Sequence, residues 1–339
     1  MKRLVLIDGH SLLFRAYHAL PKTFRNSEGT PTNAVYGFMS MLIRLVNDLR
    51  PDYMAVAFDE TGPTFRHQEL LTYKEGRPEP EEDFSVQNPI IRNVLAGFAI
   101  PVFSISGYEG EDIIATIINK ISPRHAEMFG AKHLDPSPHR GAQDNGKGNL
   151  EIFIVSGDRD VIQLIGGNVK VYYPKKGLSD TVIYDESNAR EVFGVVPEKV
   201  PDFKGLRGDS SDKIPGVFGI GEKTAVNLIN EFGSVESLYQ NIGRVREKFG
   251  ESVEKKLIEG AELAVLSKKM GMIVASAPIT VKLSDLVFKG FDSKAGLEEL
   301  RALGFKSLIK RMGFGEEGSP KTKKVVKKAE ASQGQQALL

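Results

Sequence analysis

The sequence predicts an α/β protein: a mostly parallel sheet flanked by helices, followed by a helical half. Three observations predict it. Short apolar runs of β character alternate with helical periodicity through about residue 184; beyond that point the periodicity is helical; and several apolar runs end on an acidic residue, where open parallel sheets carry their sites.

Residues 3–7 form an apolar run ending at Asp8, and a helical pattern follows through Leu12, Leu13, Arg15, Ala16 and Tyr17. Residues 34–49 set apolar side chains at helical spacing, with Asn33 as the N-cap. A second β run, Met54 to Phe58, ends at Asp59, and a polar, partly helical span then leads to a helix over about 86–98. An extended piece at 101–105 precedes a helix from Glu109 to Lys120; Glu151 to Val155 is a strand, and 169–184 offers one further short strand. These elements divide the chain into a core over 1–184 and a helical region over 185–315. Residues 122–149, rich in Pro, Gly, Asn and His, read as a disordered insertion; His125, His133 and His139 lie there with no zinc-like spacing. Residues 316–339 read as a Lys-rich disordered tail or linker.

The 339 residues, 41% hydrophobic, are enough for a sizeable core. The net charge of +1 is unevenly spread, since 321–339 alone carries five Lys against Glu330. Without cysteine there is no disulfide framework, thiol nucleophile or Cys-based zinc site. The N-terminal apolar run is broken by Asp8, far short of a signal or membrane segment. The expectation is a soluble, cytoplasmic protein with no membrane partner.

Four acidic segments carry the chemistry: L-I-D-G-H (6–10), G-Y-E-G-E-D (107–112), S-G-D-R-D (156–160) and G-D-S-S-D (208–212). Each acid has a plain role available, as a turn residue, a helix cap or a partner of the helix dipole. Repetition at successive strand ends argues for more. Carboxylates gathered at one edge of a sheet repel one another unless divalent cations sit between them, and hard cations prefer such oxygens. A pair of ions suits in-line displacement at a phosphodiester. I-P-G-V-F-G-I-G-E-K-T-A (214–225) reads as a helix-hairpin-helix over about 208–232, binding a DNA phosphate without reading sequence. Gly219 and Gly221 are expected to supply positive φ and close backbone approach, and Lys223 and Thr224 a charge and a hydroxyl. In the span 60–84, Arg66, Tyr73, Lys74 and Arg77 recur at near-helical spacing, a pattern suited to a single strand or to a solvated helix.

Together L-I-D-G-H-S-L-L-F-R, A-V-Y-G-F, F-D-x-x-x-P-T-F-R-H, Y-K-x-x-R, G-Y-E-x-E-D, G-D-R-D and the 208–225 string resemble the bacterial 5′-nuclease family, over roughly residues 3–315. That family comprises the 5′→3′ exonuclease domain of DNA polymerase I, its stand-alone relatives and the more distant flap endonucleases. The resemblance implies a PIN-like (resolvase-like) core with a helical arch at 60–84. It implies a structure-specific 5′-nuclease using two Mg²⁺ or Mn²⁺ ions, with K⁺ a further candidate at the hairpin. By the same resemblance Asp8, Asp59, Glu109 and Glu111 would hold the first ion. Asp158, Asp160 and Asp212 would hold the second, with Asp112 and Asp209 in or near its shell. Lys74 and Arg77 would steer the scissile phosphate, and Arg15, Arg66 and Tyr73 would meet the substrate strand. Implied partners are DNA with a 5′ flap, nick or single-strand/duplex junction, RNA-primed DNA, and DNA polymerase I, fused or separate; the implied state is a monomer acting in primer removal and repair. Glu111 departs from the family, whose bacterial members usually carry Asp there. Two rival readings stand beside it: an inactive DNA-binding module, and a PIN-type ribonuclease.

Overall fold

The computed structural model describes residues 1–122, 150–176 and 180–315. Nearly all of the 122–149 insertion with its three histidines, and the 316–339 tail, lie outside the described residues. A six-stranded sheet is formed by β1 (Lys2–Asp8), β2 (Tyr53–Ala57), β3 (Val102–Phe103), β4 (Leu150–Val155), β5 (Val169–Lys176) and β6 (Asp180–Tyr184), in the order β3-β2-β1-β4-β5-β6. All neighbours run parallel except β5 and β6, which form an antiparallel hairpin where the sequence suggested one strand. The chain leaves β1 towards β2 on one side and returns through β4 on the other, so the topological switch point lies between β1 and β4.

Alternation along the strands separates two cores. Val5, Ile7, Val56, Phe153 and Val155 face α1 (Gly9–Ala19) and α2 (Asn33–Leu49). That face continues past α3 (Phe65–Glu69) and α4 (Glu82–Ser85) to α5 (Gln87–Gly97). Leu4, Leu6, Ala55, Ile152 and Ile154 face α6 (Gly110–Ile121) and the 3₁₀ turn Asp160–Leu164. The helical region begins with the short α7 (Arg190–Phe193), then α8 (Val200–Arg207) and α9 (Glu222–Phe232). It continues through α10 (Val235–Gln240), α11 (Ile242–Phe249), α12 (Glu251–Glu259) and α13 (Ala261–Gly271), and α8–α12 and Ala264 of α13 share a third core. The chain then returns. Residues 273–286 cover the α6 face, while α14 (Lys294–Ala302) and α15 (Lys306–Arg311) cover the α1/α2 face. No helix among the described residues is long and apolar enough to cross a membrane.

Three local expectations are corrected. The N-cap of α2 is Thr32, not Asn33; the free N–H groups of Ala34 and Val35 are met by Gln87 Oε1 at 2.8 and 3.3 Å, and the buried Asn33 amide bonds the Tyr17 carbonyl. Span 60–84 is not one helix, because positive φ at Lys74 and Gly76 and two prolines break it between α3 and α4. In the hairpin between α8 and α9, Gly219 has φ +78°, but Gly221 is an extended N-cap at φ −84°. The glycines that permit the close crossing are Gly208 and Gly216: a Cβ on Gly216, at φ +65°, would stand 2.3 Å from Gly208 N. Gly216→Ala is expected to destabilise the chain by about 3 kcal/mol or more, against about 1 kcal/mol for Gly29→Ala, whose positive φ opens into empty space. Denaturant unfolding of the two variants checks the contrast.

Candidate active site

Each acid reaches the sheet edge by a different route. Asp8 ends β1 and also caps α1: Oδ1 accepts the Ser11 N–H at 3.0 Å, while Oδ2 accepts the Ser156 hydroxyl at 2.7 Å. Ser156 Oγ in turn accepts the Asp158 N–H at 2.9 Å, so one buried hydroxyl ties the β4 loop to the β1 carboxylate. Asp59 follows β2 and accepts the Gly110 N–H at 2.6 Å, aligning the start of α6 with that strand end. Glu109 caps α6, and Glu111 lies in its first turn. Asp209 and Asp212 sit on a loop closed by reciprocal backbone bonds between Asp209 and Ile214, both 2.9 Å, and anchored by the Gly216 N–H on Ser267 Oγ.

Asp8, Asp59, Glu109, Glu111 and Asp158 line one cleft of about 570 Å³, together with Arg15, Lys74 and Arg77. Burial, and then Asp59, push the Asp8 carboxyl up to about 7. Burial, Asp160 and Glu109 hold Glu111 well above the ordinary carboxylate range. Such mutual repulsion is what a divalent cation relieves, so the donor set fits hard cations. Among the described residues no three carboxylates close tightly enough to ring an ion as they stand. Cations of the chain stand among them instead. Lys74 Nζ lies 2.6 Å from Glu109 Oε1, Arg77 pairs with Asp212, and Lys204 bridges Asp160 and Asp209.

Three residues sit differently from expectation. Asp112 is fully buried and engaged on both oxygens: Arg66 donates to it twice, at 2.8 and 2.9 Å, and the Glu109 and Val274 N–H groups complete its shell. It is a structural acceptor, with no oxygen turned to the cleft. Arg66, 1% exposed, also bonds the carbonyls of Met270 and Met272, so it ties α6 to the end of α13 and is turned into the interior. Burial opposes its charge, but Asp112 and Glu109 more than restore it. Tyr73 is 3% exposed, with its hydroxyl 3.2–3.3 Å from Glu109 and Asp212. It steadies two carboxylates rather than stacking on a base. On the hairpin, Lys223 is exposed and Thr224 half-buried. Gly219 O, one hairpin carbonyl where K⁺ was a candidate, accepts from Lys256 Nζ at 3.3 Å.

Ser156 and Lys204 were not legible as site residues. Ser156 did stand within the quoted S-G-D-R-D string, but nothing in α8 marked Lys204.

An acid-lined cleft at the switch point of a parallel sheet, with a glycine hairpin between helices beside it, is the arrangement of the resolvase-like class. Residues 3–129 match the 5′–3′ exonuclease N-terminal resolvase-like domain, and residues 195–294 the 5′–3′ exonuclease C-terminal SAM fold. The chain belongs to the 5′–3′ exonuclease family. The DNA polymerase I of Caldicellulosiruptor bescii is 38% identical over 316 residues, 93% of this chain and 34% of that protein. That of Bacillus caldotenax is 39% identical over 311 residues, 92% and 32% respectively. The chain thus spans about a third of the length of these relatives. The bacteriophage T5 5′-exonuclease with bound zinc shares the fold at a TM-score of 0.57 and 20% identity, covering 92% of this chain and 97% of that one. The catalytic core of Rad2 in complex with DNA substrate does so at 0.53 and 17%, covering 94% and 90%.

Two outcomes follow from the buried charges. Removing Arg66 leaves Asp112 charged and unpaired in the interior, so Arg66→Met is expected to cost about 3–5 kcal/mol in denaturant unfolding, while Arg66→Met/Asp112→Asn recovers much of the loss. Carboxyls raised in the folded state bind more protons there than in the unfolded chain, so their cost is present above pH 7 and disappears as pH falls towards 4. With chelator present, the melting temperature is expected to rise by about 3 °C or more from pH 8 to pH 5.5. Saturating Mn²⁺ raises it most at pH 8 and flattens that slope, which thermal scans at both pH values test.

Proposed function

We propose that the chain is a divalent-metal-dependent 5′→3′ exonuclease and 5′-flap endonuclease, hydrolysing DNA phosphodiesters near a single-strand/duplex junction. The observation that carries this reading is the cleft where Asp8, Asp59, Glu109, Glu111 and Asp158 face Lys74 and Arg77. Asp8, Asp59, Glu109, Glu111 and Asp158 would hold one Mg²⁺ or Mn²⁺, and Asp160, Asp209 and Asp212 a second. Bound there, such ions supply Lewis acidity and positive charge to a phosphodiester in line for displacement. Asp112 is left out of the ligand set, because its oxygens are already taken.

The chain's own residues do the rest. Lys74 and Arg77 lie on an irregular loop at the mouth of the cleft, and both are partly exposed. Turned from the carboxylates to a phosphate, they would orient the backbone to be cut. Arg15, also lining the cleft, offers a further phosphate contact on the 5′ strand. The hairpin with its exposed Lys223 would grip duplex phosphate through backbone N–H groups at the start of α9, independently of sequence. Tyr73 and Ser156 keep Glu109, Asp212 and Asp8 in place. In the cell the activity would remove RNA primers and displaced 5′ strands, alongside or joined to a DNA polymerase.

Asp158 is exposed and caps no long helix, so its loss leaves the fold intact. Asp158→Asn is expected to lower flap cleavage by about a thousandfold or more with Mn²⁺, while flap binding in Ca²⁺ changes by less than about threefold. A 5′-labelled DNA flap and its RNA counterpart are the substrates. A wild-type chain that cuts neither would sink the proposal, and one that cuts RNA alone would make it a ribonuclease.

A further inference from the structure

The cations standing among the carboxylates are of two kinds. Lys74 and Arg77 come from a loop that turns through positive φ, and their side chains are 21% and 50% exposed. They are free to swing away when an ion or a phosphate arrives. Lys204 is not. It rises from the middle of α8, is 2% exposed, and runs its stem along Gly271 at the end of α13, where a Cβ would meet Lys204 Cδ at 3.0 Å and Cβ at 3.1 Å. Gly205 beside it brings α8 hard against α13, since a Cβ there would stand 2.9 Å from Lys268 Cβ and 3.0 Å from Ala264 O. The stem therefore has one channel, and the ammonium one resting place, between Asp160 and Asp209 Oδ2, the latter at 2.7 Å.

Asp8, Asp59 and Asp158, by contrast, form no ion pair with any cation of the chain among the described residues.

We propose that Lys204 is a resident counter-cation of the second metal group: it positions Asp160 and Asp209 before any ion arrives, and its immovable charge weakens the second divalent ion. The proposal rests on the reading of these carboxylates as a metal group. The first ion enters a set in which Asp8, Asp59 and Asp158 have no ion-pair partner among the described residues, and the buried Arg66, 3.5 Å from Glu109, is held more closely by Asp112 at 2.8 Å. The second must share its carboxylates with an ammonium that has nowhere else to go, so the two ions load in order and the second exchanges readily. Lys204 is a positioning residue in this scheme and touches no substrate.

Mn²⁺ titration of the DNA-free chain, by calorimetry and by the free-Mn²⁺ EPR signal, reads this without any cleavage. Wild type gives a tight and a weak midpoint. Lys204→Met is expected to tighten the weak one by about tenfold and to move the tight one by less than about twofold. Lys204→Arg, which keeps the charge, stays near wild type. Lys204→Gln keeps a hydrogen-bond donor for the two acids and is expected to behave as Met does, which covers a Met variant that fails to fold by circular dichroism. An unchanged or weakened second midpoint in a folded Met or Gln variant overturns the proposal. A wild-type chain that takes up no Mn²⁺ overturns the metal-dependent reading beneath it as well.

Discussion

Negative charge crowded at one edge of a sheet is the constraint around which the molecule is built. Asp8, Asp59, Glu109, Glu111 and Asp158 share one cleft, and Asp160, Asp209 and Asp212 stand behind it, several of them buried. A rigid sheet lies below, so the acids cannot spread apart. What makes the arrangement tolerable is a set of short tethers. Ser156 and Ser11 hold Asp8, the Gly110 amide holds Asp59, and Lys74, Arg77 and Lys204 neutralise Glu109, Asp212 and the Asp160/Asp209 pair. Charges that a fold gains nothing from are expensive to bury, and here they are retained with their partners.

The helical region is part of this arrangement. It delivers Asp209 and Asp212 on a loop pinned at Asp209 and Ile214, and α8 brings Lys204 to the same place. Arg66 locks the junction from the other side, with α6 on one arm and the last carbonyls of α13 on the other. The glycine hairpin and the acidic cleft are therefore fixed relative to each other through buried side chains.

The parallel sheet was legible because apolar runs such as 3–7 and 54–58 end on acids and alternate with helical segments. The family was legible because its motifs occur in order along the chain. What escaped was decided in three dimensions. Arg66 and Tyr73 sit at the spacing of a surface helix, yet Arg66 of α3 is drawn inward by Asp112 and the end of α13, and Tyr73, on the irregular stretch that follows, turns its hydroxyl to Glu109 and Asp212. Asp112 is one position from Glu111 in sequence, but a helix turns neighbours by about 100°, and Arg66 claimed the inner one. Gly221 looked like the conformationally free glycine of the hairpin, whereas the closest backbone crossing falls at Gly208 and Gly216. Gln87 caps α2 from 53 residues away, a partner no local pattern could name.

The return of the chain after α13 bears on how the molecule is made. Leu297, Leu300, Leu308 and Ile309 complete the face begun by Val5 and Ile7, and residues 273–286 complete the opposite one. β1 is thus completed by α14 and α15, with the whole helical region synthesised in between. A nascent chain leaving the ribosome can collapse α8–α12 as a local unit, but part of each apolar face of its sheet stays uncovered until residues 273–286 and then α14 and α15 have emerged. During translation, β1 therefore stays incompletely covered until α14 and α15 have emerged.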